Sequence, residues 1–110
     1  MRFGKFLASV ALVAAAISRA AFAADDAQLK RGETLLTRDC ARCHAVGRTG
    51  PSAKKEAPEF RTLARRYPID SLEETLGEGT MSGHPDMPQM SYDADDVSAI
   101  IAYLKSIQQR

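Results

Sequence analysis

The strongest pattern in the chain lies near its end. Val97, Ile100, Ile101, Leu104 and Ile107 recur at three- and four-residue spacing and form one apolar stripe, which predicts an amphipathic helix from about residue 92 to 108. Ser91 or Asp93 is placed to cap it, acids fill its first turn, and Lys105 sits near its end, as the helix dipole favours. A second helix is expected from 27 to about 39, with sparser apolar positions at Leu29, Leu35 and Leu36 and with Asp25 and Asp26 ahead of it. Gly32 within it costs about 1 kcal/mol relative to Ala, so a glycine there points to close approach of another helix. Phe60, Leu63 and Tyr67 fall at i, i+3 and i+7 and mark a short amphipathic helix that Pro68 ends. Ser71 and Glu74 stand at capping-box spacing before a further helix, with Leu72 and Leu76 buried and Gly77 and Gly79 at its end. Segments 45–59 and 80–89 carry glycines and prolines and read as loops. Nothing alternates with period two, so the chain reads as all-α.

The N-terminus has a different character. Arg2 and Lys5 precede an apolar run over 6–17, and Ala21-Phe22-Ala23 follows. That is the order of a secretory signal peptide, and the run falls short of the roughly 20 apolar residues that span a bilayer. The expected division is therefore a cleaved signal at 1–23 and one small domain at 24–110, with no integral membrane segment after cleavage. The whole chain has 110 residues, 45% apolar and 26% charged, with a net charge of +1. Such a composition suits a globular protein and gives no basic field for nucleic acid, so none is expected as a partner. The length excludes a Rossmann fold or a TIM barrel. Charge is unevenly placed: residues 24–66 sum to +4 and residues 67–110 to −6. If these segments lie on different sides of the molecule, the resulting dipole can orient partners.

The chemistry is concentrated in Cys40-Ala41-Arg42-Cys43-His44. C-x-x-C-H is the pattern of covalent attachment of a c-type haem. Two thiols one helical turn apart can add to two vinyl groups on one porphyrin edge, and the next residue, His44, then lies under the iron. A thiol–disulfide site would use the cysteines without the histidine and would expect a βαβ pattern, which is missing. A structural zinc site takes four ligands, and with no third cysteine it would have to use both histidines, His44 and His84.

An ordered set of features extends well beyond that motif. Gly32 lies eight residues before Cys40, Gly50-Pro51 follows the motif, Met87-Pro88 comes later, and Ile101-Ala102-Tyr103-Leu104 closes the set. Over residues 27–109 the chain resembles the small class I cytochromes c of bacteria. The resemblance implies a cytochrome c fold, a few short helices and loops wrapped around one haem c bound through Cys40 and Cys43, with His44 as an iron ligand. In that family a proline carbonyl accepts the Nδ1–H of the ligand histidine; Pro51 is the candidate here and Pro58 the runner-up. Met81, His84, Met87 and Met90 are candidates for the sixth ligand. Met87 is preferred, because a residue before proline is held extended and because a Met-Pro pair supplies the ligand in many cytochromes that the chain resembles. His84, before Pro85, is its rival; Met90 is expected to pack at the Ser91 cap, and Met81 to begin the loop. The chain has no Trp to bond a haem propionate, so Tyr67 is read as a cofactor contact, with Arg61, Arg65 and Arg66 as other candidates.

The function implied is that of a periplasmic, monomeric electron carrier. It would pass single electrons between a donor and an acceptor redox protein by transient docking, and would not itself be an enzyme. The sequence leaves a second reading open, a haem electron-transfer subunit of a dehydrogenase complex. A ligand sensor with an open sixth site is disfavoured by the methionine-rich loop.

Overall fold

The structure, a computed structural model, describes Ile17 and residues 25–79 and 85–110. The expected signal segment (apart from Ile17), Met81 and His84 lie outside the described residues. Among the described residues there are helices and loops and no strand. Helix α1 covers residues 25–39. A 3-10 helix at Phe60–Arg65 and a 3-10 turn at Ile69–Ser71 lead into α2, Leu72–Glu78, and α3 is Ala94–Ile107.

Helix α3 begins as its sequence requires. Asp93 has extended backbone and its side chain accepts a 2.8 Å hydrogen bond from the Asp96 amide, which satisfies one of the free donors of the first turn. Of the two capping candidates, Asp93 is therefore the one used. The stripe of Val97, Ile100, Ile101, Leu104 and Ile107 is buried throughout.

Helix α2 starts differently from expectation. Ser71 does not cap it, and the capping box with Glu74 is not formed. Ser71 already has helical backbone as the last residue of the preceding 3-10 turn, and its hydroxyl donates to the Pro68 carbonyl at 2.7 Å. A cap needs extended backbone, and here the helical run begins earlier, after Pro68. Gly77 lies inside α2. The stop is Gly79, whose φ of 76° is the left-handed conformation that glycine adopts without a steric penalty. Leu72 and Leu76 are half-buried rather than buried.

The core joins Leu35 and Leu36 of α1, Phe60 and Leu63 of the 3-10 helix, and Ile69 to the α3 stripe and Tyr103. Helices α1 and α3 cross at Gly32. A methyl group on Gly32 would run into the Ala99 carbonyl and come within 2.8 Å of Tyr103 Cβ. The crossing is flanked by Arg31, whose Nε donates to Asp96 at 2.6 Å. At the other end of α3, the Gln108 side chain accepts from the Ala64 amide at 2.8 Å and donates to the Phe60 carbonyl at 2.7 Å. The 3-10 helix is thereby hung on the end of α3.

The crossing yields a direct prediction. Gly32→Ala should lower the unfolding free energy of the holoprotein by about 1–3 kcal/mol, because backbone rather than a flexible side chain occupies the space the Cβ needs. Chemical denaturation checks this; an unchanged midpoint would mean that the helices do not meet there.

Candidate functional site

The hydrogen bonding of α1 continues into the cysteine motif. The Cys40 amide donates to the Leu36 carbonyl at 2.8 Å, and the amides of Cys43 and His44 both donate to the Cys40 carbonyl, at 3.2 and 2.9 Å. Both thiols and the imidazole therefore leave from one tight turn at the end of a packed helix. The loop that follows is tied back onto the turn. The Lys54 amide donates to the Cys43 carbonyl, the Ala45 amide to the Ser52 hydroxyl, and the Phe60 amide to the Ala45 carbonyl, each at 3.0 Å.

This folding-back decides the partner of His44. Nδ1 lies 2.8 Å from the Pro58 carbonyl oxygen. A carbonyl only accepts, so Nδ1 carries a proton, and in the neutral ring the lone pair is on Nε2. Pro51, the first candidate for that role, is not the partner. It is exposed beside Gly50, which has a φ of 87°, while the Phe60–Ala45 bond brings Pro58 back under the ring. Phe60 adds a tilted ring contact to His44, with centroids 4.7 Å apart.

Cys40, Cys43 and His44 line a cleft of about 410 Å³, whose other walls include Pro58, Leu76, Met87, Met90 and Tyr92. The segment that carries Met87 thus faces the cysteine turn across a shared space. Met90 also lines the cleft, instead of packing at the Ser91 cap, and its sulfur lies 3.4 Å from the Tyr92 hydroxyl. Tyr67 is not among the lining residues and is 37% exposed. In a 3-10 helix residues three apart share a face, which sets Phe60 and Leu63 inward; the helix ends at Arg65, and Tyr67 lies beyond it.

The tyrosine that reaches the cleft is Tyr92, which sequence reasoning missed. Its hydroxyl donates to Asp39 at 2.8 Å. Two 2.7 Å bonds from Arg38 hold the same carboxylate and keep its pKa below the usual range. Burial, then the bond to Asp39, pushes the Tyr92 hydroxyl upward, so it stays protonated. A signal for Tyr92 was present: Pro88, Met90 and Tyr92 alternate along a stretch without helix, and extended chain turns alternate residues to one side. Lys54 and Asp86 also line the cleft and pair at 2.8 Å.

The donor set fits a haem better than its rivals. No disulfide links Cys40 to Cys43. Burial, with smaller contributions from Asp39 and Cys43, pushes the Cys40 thiol up to about 11, which leaves little of the thiolate that disulfide exchange needs. Among the described residues no group of three or more His, Cys, Asp or Glu side chains could hold a bare metal ion. Two thiols, one imidazole with Nε2 available and thioethers on the facing segment, around a partly apolar cleft, match a metal that arrives inside a porphyrin.

Comparison with known proteins agrees. Residues 29–108 match the family model for cytochrome c. No curated protein and no solved structure matches the chain.

Attachment should need both thiols. Cys40→Ala or Cys43→Ala should yield little haem-containing protein, read as Soret absorbance after purification. The chain left without haem should also lose helicity, since the group would fill a cleft bordering a small core. A haem-free variant with native helicity would contradict this.

Proposed function

We propose that this chain, which belongs to the cytochrome c family, is an exported monohaem carrier that moves single electrons between redox proteins, with His44 and Met87 as axial ligands. Membership carries covalent haem c and electron transfer with it, and Cys40 and Cys43 have the spacing for the attachment. The observation that carries the finer reading is the shared cleft: Met87, from a segment more than 40 residues away, lines the same space as Cys40, Cys43 and His44.

When bound, haem supplies a one-electron couple that its axial ligands and surroundings tune. The protein's own residues do the rest. The Pro58 carbonyl orients the His44 ring and raises the basicity of Nε2. Pro88 disfavours helical backbone at Met87, which sits at a bend in the chain. Leu76 and Pro58 contribute apolar wall, and Arg38, Asp39 and Tyr92 buttress one side. His44 and Met87 would both hold the iron of a bound haem and leave it no ligand site for a substrate, so we read the chain as a carrier and not as an enzyme. Met90 lines the same cleft and is the rival thioether.

Segment 1–23 is read as an export signal, which would deliver the domain to the periplasm. No helix among the described residues is long and apolar enough to cross a membrane. Donor and acceptor are redox proteins met in transient encounters, and the domain is monomeric. The second reading, a subunit held in a dehydrogenase complex, separates from the first by gel filtration of the native protein: a free haem protein of monomer size supports the carrier.

Two outcomes test this function. Met87→Ala should abolish the far-red sulfur-to-iron charge-transfer band of the oxidised protein, lower the potential and admit carbon monoxide, whereas Met90→Ala should keep the band. The reverse pattern would move the ligand to Met90. The uneven charge of residues 24–66 and 67–110 should make electron-transfer rates with a charged partner depend on ionic strength. Rates indifferent to salt would remove the steering role.

A further inference from the structure

We propose that Lys54 and Asp86 are a positioning pair: an ion pair across the cleft that holds the Met87 segment closed on the cysteine turn and so keeps the thioether at the iron. The inference rests on the Met87 reading above. Lys54 Nζ and Asp86 Oδ2 are 2.8 Å apart although 32 residues separate them, and both side chains line the cleft.

The Lys54 end is firmly seated. Its amide donates to the Cys43 carbonyl at 3.0 Å, and its own carbonyl accepts from the Ala57 amide at 3.0 Å. Lys54 is therefore an extension of the turn that holds the cysteines and His44. Asp86 is the residue immediately before Met87. Downstream, the same segment is fixed at Tyr92, whose amide donates to Leu76 at 3.0 Å and whose hydroxyl donates to Asp39. Met87 thus lies between two fixtures, Tyr92 on one side and the Lys54–Asp86 pair on the other. Loss of the pair removes a contact that ties the thioether's segment to the cysteine turn on its upstream side.

The pair is partly in water, with Lys54 39% and Asp86 77% exposed. Its effect on the closed-to-open equilibrium is accordingly modest, about two- to five-fold, and sensitive to salt.

Imidazole binding to the oxidised holoprotein reads this equilibrium, because imidazole takes the sixth position only when the thioether has left it. Lys54→Gln and Asp86→Asn should each raise imidazole affinity about two- to five-fold. Lys54→Arg should stay near the unmodified protein. Lys54→Glu combined with Asp86→Lys should recover much of what either reversal alone loses. Added salt should raise the affinity of the unmodified protein and leave Lys54→Gln almost unchanged. Affinities equal to the unmodified protein in both Lys54→Gln and Asp86→Asn would overturn the pair's role. So would a lowered denaturation midpoint without a gain in imidazole affinity, which is the mark of a merely structural contact. The far-red band in Met87→Ala separates the two failures. A band that survives there overturns the ligand reading and the pair with it; a band lost there, with imidazole affinity unmoved by Lys54→Gln, overturns the pair alone.

Discussion

The hydrogen bond between His44 Nδ1 and the Pro58 carbonyl, 2.8 Å long, is the contact on which the site depends. It sets the tautomer, so that Nε2 rather than Nδ1 is left to bind a metal, and it fixes the plane of the ring. Much of the fold can be read as the means of holding Pro58 in place. The loop after His44 is tied to the cysteine turn through Ser52, Lys54 and Phe60. The Phe60 segment hangs on Gln108 at the end of α3, and α3 is pressed against α1 where Gly32 removes the side chain that would separate them. Since α1 ends in the cysteine turn, the two ends of the hydrogen bond are joined through the core as well as through the loop.

The elements that could be read from the chain were those with a local cause. The α3 stripe follows from periodicity, the Asp93 cap from the residue type, and the Gly79 stop from a left-handed backbone. The cysteine turn could be read for the same reason, since attachment chemistry dictates its spacing. The differences lie where a contact across the loop or an unexpected local winding makes the choice. Pro51 and Pro58 both follow His44 in one loop, and only the Phe60–Ala45 bond puts Pro58 under the ring. Phe60, Leu63 and Tyr67 have α-helical spacing, but the segment winds as a 3-10 helix that ends at Arg65, so Tyr67 lies outside it. Ser71 has a capping residue's chemistry but sits inside a helical run that begins after Pro68.

The cleft combines two electrostatic styles. Apolar residues and a tied imidazole surround the place where a porphyrin would sit, while Arg38–Asp39 and Lys54–Asp86 put paired charges around it. Each of these two pairs offsets its own charge beside the cleft. Tyr92 joins the two styles, since its ring faces the cleft and its hydroxyl meets Asp39.

A spectroscopic redox titration of the purified native protein tests the central claim most directly. The account predicts a haem spectrum that stays low-spin in both oxidation states, passes between them in a single one-electron step and does not change when carbon monoxide is added. A protein without haem absorbance, whose only redox transition is the two-electron couple of Cys40 and Cys43, would contradict it.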